Sequence, residues 1–260
     1  MEFLTWFTDL DLPAWAWLIV LTSGAGIGIA KTAVPGSGIL VVALMAMALP
    51  SRMSVGVLLP LLIIGDFFAL GKFWRYTDRK LLFSLVPFAL LGLGAGFFIL
   101  RYVSDERLKP IIGAVILTLL AVRQISEYYK KKGSAEGRSA PERRNPFLMV
   151  LFGFFSGLGT GMANSSGPIL SLYFLILGLP KLPFMATTTW FFFIMNMLKA
   201  PLFLKLGLIS AQSLKIGLLA LPSVAAGAVL GYWMVARISQ KRFNQAVLSL
   251  AFVAAIRLMI

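Results

Sequence analysis

Along the chain, apolar residues gather into long runs separated by short polar stretches that are mostly basic. The first run spans Ala14 to Leu49 and is interrupted at Lys31, Pro35 and Gly36. Its 36 residues are too many for one helix across a hydrocarbon core of about 30 Å and somewhat few for two. Pro35-Gly36 divides the run unequally, and the 14 residues from Gly36 to Leu49 suit a half-helix or re-entrant segment. Ordinary crossings are predicted at Met53–Gly71, Leu81–Leu100 and Leu108–Ile125. The next stretch, EYYKKKGSAEGRSAPERRNP, is basic, rich in turn formers and without an apolar face, which reads as a cytoplasmic join. The pattern then starts again. Phe147–Leu179 is broken around Asn164–Pro168, and Phe184–Leu204, Gln212–Val235 and Phe243–Ile260 follow it.

This return is visible residue by residue. A shift of 133 places Gly24, Gly26, Gly28, Pro35 and Pro50 on Gly157, Gly159, Gly161, Pro168 and Pro183. A shift of 135 places Pro87, Gly92, Gly96, Ser104 and Arg107 on Pro222, Gly227, Gly231, Ser239 and Arg242. An internal duplication is the simplest source of that register. The predicted fold is an all-α polytopic membrane protein of two repeats, each a broken or re-entrant segment plus three transmembrane helices. The first repeat is residues 1–126, the linker 127–146 and the second repeat 147–260. If each broken segment returns to the side it entered from, the halves are inverted, and 15 Lys and Arg lie inside against 7 outside. If each crosses once, the halves are parallel and the count is 14 against 8. Both satisfy the positive-inside rule. The short half-segments favour the inverted form.

Composition narrows the function. The chain is 59% hydrophobic, with a mean hydropathy of +0.88, whereas soluble domains run at about 45–50% apolar. Cysteine and histidine are absent, which removes disulfides, thiol nucleophiles and most zinc or copper sites. The ten acidic residues are scattered, so neither an enzyme, nor a metal site, nor a cofactor is predicted. The net charge of +14 is read as cytoplasmic loop charge rather than nucleic-acid binding. The N-terminal stretch is acidic and lacks the positive region of a signal peptide, so it is expected to remain.

The two glycine-rich breaks, GAGIGIAKTAVPGSG and GLGTGMANSSGPIL, resemble the sulfite exporter TauE/SafE family of membrane permeases, including its 4-toluene sulfonate uptake permease-like members. In that family a Gly-x-Gly-rich opening running to a proline and a small apolar helix is given twice. The resemblance covers nearly the whole chain through its duplicated layout. It implies transport of sulfur-containing anions such as sulfite or organosulfonates. The two copies differ in one telling place, where Lys31 in the first stands opposite Asn164 in the second.

Half-helix N-termini present unpaired amides and a positive dipole end, which suits an anion. Gly36, Ser37 and Gly38 lie at one such end, and Asn164, Ser165, Ser166 and Gly167 at the other. The glycines of the GxGxG openings are read first as helix-packing residues. Lys31, beside Thr32 in the first break, is the candidate for countering substrate charge. Asp66 and Lys199 share a position under the 133 shift. They pair with each other, or Lys199 lines the pathway while Asp66 carries a coupling proton, or both snorkel to a nearby interface. Arg257 is expected to snorkel. Thr188, Asn196 and Lys199 fall on one helical face and form a candidate polar stripe. Phe191 to Phe193 read as lipid-facing or packing residues. The leading function is a secondary permease for small anions in a bacterial inner membrane, exporting by alternating access. An anion channel, a proton-coupled importer and an intramembrane enzyme are the alternatives. Its partners are the anionic substrate and membrane lipid, and a homodimer is permitted.

Overall fold

The computed structural model describes residues 12–100, 145–163 and 166–259. The predicted crossing at Leu108–Ile125, most of the linker, the acidic N-terminus, Asn164 and Ser165 lie outside the described residues, as does the Arg257 side chain. The described residues form helices, with no β-strand among them. In chain order these are α1 (Ala14–Thr32), α2 (Gly38–Ala48), α3 (Ser51–Phe73), α4 (Arg79–Leu100), α5 (Pro146–Ala163), α6 (Gly167–Ile176), α7 (Lys181–Lys205), α8 (Ala211–Arg237) and α9 (Gln240–Met259). A 3₁₀ turn, Trp74–Tyr76, joins α3 to α4. Among the described residues, α1, α3 with its 3₁₀ turn, α4 and α8 are long and apolar enough to cross a membrane. The chain is thus a multi-pass membrane protein.

Both predicted breaks are real and fall where proline and glycine placed them. α1 stops at Thr32 and α2 begins at Gly38. Pro35 has no N–H to continue a helix. Gly36 holds φ at +96°, a region that favours glycine. α2 has 11 residues and α6 has 10, so each rises roughly 15 Å, half a hydrocarbon core.

Glycine seams set how the helices pair. An added Cβ at Gly24 would meet Ser223 and the Ala220 carbonyl, and one at Gly28 would meet Val224 and Ala228. α1 and α8 therefore run side by side in the same sense with their backbones nearly touching. α5 and α4 do likewise, with Gly153 against Leu85 and Phe88, Gly157 against Ala89 and Gly161 against Leu93. Small residues permit this approach, and van der Waals contact holds it where lipid offers no hydrophobic driving force. The outer glycines of both GxGxG openings are packing residues, as the sequence suggested. The middle ones face their own half-helix instead, Gly26 toward Val41 and Gly159 toward Ser166.

Apolar clusters surround each half-helix. Val41, Met45 and Ala48 of α2 pack with Val20 and Ile27 of α1, Leu58 of α3 and Val224 of α8. Around α6, Tyr173 stacks on Phe152 at 4.9 Å, and Phe174, Phe184 and Phe243 follow edge to face. One end of the bundle gathers the C-termini of α3 and α8 with the N-termini of α4, α7 and α9. There the Asp78 amide donates to Thr187 Oγ1 (3.0 Å), and the Lys181 amide donates to Gln240 Oε1 (2.7 Å). Lys181 Nζ closes the end of α8 by donating to the Val235 and Ile238 carbonyls.

The seams predict a contrast between two glycines of α8. A Cβ at Gly227 would stand 2.0 Å from the Ala25 carbonyl oxygen, whereas nothing lies within 4 Å of one at Gly217. Gly227→Ala should cost about 1–3 kcal/mol, and Gly217→Ala should be neutral or slightly stabilising. Unfolding midpoints in detergent check this, and equal midpoints for the two variants would remove the seam as a structural determinant.

Candidate functional site

Lys31 stands in the last turn of α1, and its stem lies against Gly65 of α3, where a Cβ would come within 3.1 Å of Lys31 Cγ. The missing side chain lets the lysine reach one residue further along. Its Nζ forms an ion pair with Asp66 Oδ1 at 2.6 Å. The other carboxylate oxygen, Oδ2, accepts from Asn196 Nδ2 at 3.0 Å. Three elements, α1, α3 and α7, thus converge on one carboxylate. Asp66 is fully buried and Lys31 nearly so. The ring of Phe192 lies 4.9 Å from Lys31 Nζ, a cation–π contact on its open side.

Lys199, one turn beyond Asn196, is fully buried. It does not pair directly with Asp66, as one expectation had it. Its Nζ donates to Thr160 of α5, at 3.1 Å from Oγ1 and 3.3 Å from the carbonyl oxygen. Asp66 remains within electrostatic reach of both lysines. With one acid and two bases, the cluster carries a formal charge of +1.

The two breaks meet beside this cluster. A Cβ on Gly167 would lie 3.1 Å from Gly36 Cα, so the inner ends of the half-helices touch backbone to backbone. Neither α2 nor α6 has a side-chain cap at its N-terminus, and first-turn amides have no intrahelical acceptor. A cavity opens between these ends, Lys31 and α7. It offers about 60 Å³ to the centres of water-sized spheres, several times the 10–15 Å³ or so that one water needs. Its walls include Gly36, Gly38, Thr160, Gly167, Thr188 and Asn196.

The predicted site residues separate into groups. Lys31, Gly36, Gly38, Gly167, Thr188 and Asn196 line the cavity together. Asp66 and Lys199 stand behind it on Lys31, Asn196 and Thr160. Thr32 points elsewhere, its hydroxyl within 2.8 Å of the Gly28 carbonyl oxygen and 3.1 Å of that of Ala228, in the α1–α8 seam. Ser37 turns its hydroxyl back to the Val34 carbonyl at 2.8 Å. Ser166 is buried next to Gly159, and its hydroxyl has no hydrogen-bond partner among the described residues.

The three threonines of α7 divide their work. Thr187 accepts from Asp78 N, Thr189 donates to the Met185 carbonyl (2.8 Å), and Thr188, in the cavity wall, has a buried hydroxyl with no partner among the described residues. Sequence reasoning missed Thr160; Phe192, read as a lipid-facing or packing residue, packs against the core and also lines the cavity. The 133 shift carried a signal for the first, since Ile27 and Thr160 coincide under it and both line the cavity.

The sequence model of the family described as Sulfite exporter TauE/SafE matches residues 20–258 of the chain. No curated protein matches it, and no solved structure does.

The ion pair makes its own prediction. Removing one member of a buried pair strands the other, at about 3–5 kcal/mol. Lys31→Met and Asp66→Leu should each destabilise on that scale, and the double variant should cost clearly less than their sum. A double-mutant cycle on unfolding in detergent measures this. Strict additivity would mean that the 2.6 Å contact carries no coupling.

Proposed function

The chain belongs to the sulfite exporter TauE/SafE family, and from that premise we propose that it is a secondary permease for sulfite-like oxyanions or organosulfonates, exporting them by alternating access. The observation that carries this reading is the meeting of two uncapped half-helix N-termini, at Gly38 and Gly167, in one cavity with Lys31. Each N-terminus offers amide donors and a positive dipole end. A sulfite or sulfonate group has three oxygens to satisfy, and donors approach from two half-helices and a lysine. The Thr188 hydroxyl adds a donor, buried at the cavity and without an acceptor among the described residues.

In the arrangement described, Lys31 is held by Asp66. An entering anion competes with that carboxylate for Lys31, while Asn196 keeps Asp66 in place. Protonation of Asp66 would release Lys31 by another route, which is the role left to Asp66 if transport is coupled to protons. Export needs no such coupling, because one negative charge leaving through a negative-inside potential gains about 2.3 kcal/mol per 100 mV.

Two inverted repeats give this site its two access routes. The packing supports that reading in three ways. α3 ends, and α7 begins, at the same end of the bundle, although the 133 shift places one on the other. α1 runs parallel to α8, and α5 to α4, so the two broken segments enter from opposite ends. Their inner turns then meet at Gly36 and Gly167. Rocking one broken segment past the other would open the cavity alternately to each side. Asn164 and Ser165 complete the second break in this scheme.

Flux into and out of proteoliposomes holding the purified protein tests the proposal, with sulfite, sulfoacetate, sulfate, chloride and acetate under an imposed potential. Saturable, voltage-driven movement of sulfite or a sulfonate is expected. Thr188→Val should raise the half-saturating concentration about 10–100-fold, the worth of one hydrogen bond to a charged group, with a smaller change in maximal flux. Lys199→Ala should reduce flux further. The proposal is lost if none of these anions moves under either polarity. Flux that does not saturate would favour a channel built on the same half-helix ends.

A further inference from the structure

A second feature lies on the outside of the bundle, away from the cavity. At the seam of α3 and α8 a groove is walled by Ile64, Phe67 and Phe68, and it continues past Gly71 and Lys72 along the 3₁₀ turn. The seam beneath it is tied shut, because the Tyr232 hydroxyl donates to the Phe68 carbonyl and its ring packs edge-on against Phe73 at 5.9 Å. Gly71 leaves the groove open. It is exposed, and a Cβ there would meet nothing within 4 Å.

The two parts of the groove differ in chemistry along its length. Phe67 and Phe68 are exposed, apolar and on the lipid-facing side of a membrane helix. Beyond Gly71 the exposed side chains are Lys72, Trp74, Arg75 and Tyr76. Lys181, which also borders this part, spends its ammonium on the α8 carbonyls, which leaves Lys72 and Arg75 as the cations facing outward. Arg75 stacks on Trp74, 5.3 Å from the ring centroid, an arrangement that leaves its guanidinium edge for a ligand. Asp78, the nearest acid in sequence, is turned to the N-terminus of α4, where it accepts from Leu81 N. Basic residues from α3, α4, α7, α8 and α9 collect at this end, which makes it the cytoplasmic one.

We infer that this groove is a binding site for an anionic phospholipid. One acyl chain lies along Ile64, Phe67 and Phe68, and the phosphate reaches Lys72 and Arg75. Trp74 and Tyr76 sit at headgroup level, where amphipathic rings are favoured. Anionic lipid enriches the cytoplasmic leaflet, and basic pockets between transmembrane helices on that side suit its headgroups. A free anion would use the two cations but leave the apolar half of the groove unfilled.

Native mass spectrometry of the detergent-purified full chain tests the site, with phosphatidylglycerol and phosphatidylcholine of matched acyl chains as probes. Phosphatidylglycerol should bind at least about tenfold more tightly, since each basic residue near the headgroup contributes about fivefold. Lys72→Ala with Arg75→Ala should abolish that preference. Gly71→Leu, which fills the groove without touching the charges, should weaken both lipids. Lys241→Ala with Arg242→Ala, on the same face but outside the groove, should change neither. Equal binding of the two lipids, or equal loss in the Lys241/Arg242 control, overturns the assignment. So does displacement of bound phosphatidylglycerol by millimolar inorganic phosphate, which would make this a free-anion site.

Discussion

A helix that stops halfway through a membrane leaves amides and carbonyls that hydrocarbon cannot satisfy. This chain does so twice, and the rest of the architecture follows from hiding both ends. Each half-helix is wrapped in its own apolar cluster, α2 by α1, α3 and α8, and α6 by a run of aromatic side chains. The ends that remain are turned toward one another, so close that a Cβ on Gly167 would press on the Gly36 backbone. What cannot be buried against protein faces a small cavity. The site is therefore not an addition to the fold. It is the place where the fold's unpaired backbone had to go.

The charges near that place obey the same economy. An isolated ammonium or carboxylate at such depth is costly, and Lys31, Asp66, Asn196, Lys199 and Thr160 remove the isolation by a chain of contacts across α1, α3, α5 and α7. This polar thread runs through the middle of otherwise apolar helices. It ties the end of α1 to α3, α7 and α5, none of which the α1–α8 and α4–α5 seams join to it. The formal surplus of one positive charge is of the sign an anion requires.

Much of the fold was legible because its signals were backbone signals. Pro35 with Gly36, and the stretch up to Pro168, announced the breaks within a few residues, and run lengths gave the other described helices. The GxGxG glycines were legible as packing residues, but their partners were not. A glycine marks a close approach without naming what approaches, and nothing in the sequence says that Gly24 meets α8 rather than α3. The site was legible in part for a related reason. Lys31, Thr188 and Asn196 stand out as polar groups in apolar helices. Phe192 does not stand out among neighbouring phenylalanines, although its ring covers Lys31. Thr32 and Ser37 stand out equally, but turn away from the cavity. Their hydroxyls close backbone carbonyls of the seam and the break, a use of Ser and Thr in membrane helices that sequence cannot separate from ligand binding. Asp66 found Lys31 rather than Lys199 because Gly65 cleared a path for one lysine, a detail of shape rather than of pattern.

The glycine seams join α1 to α8 and α5 to α4, so close backbone contacts among the described residues cross between the two halves of the sequence. A domain in the usual sense, a stretch of chain that folds on its own and moves as a body, is then the wrong unit. The broken segment of one half is bolted to a helix of the other, and any displacement of α1 carries α8 with it. The mechanical parts are hybrids, each assembled from both halves. Neither half, produced alone, would contain a complete one.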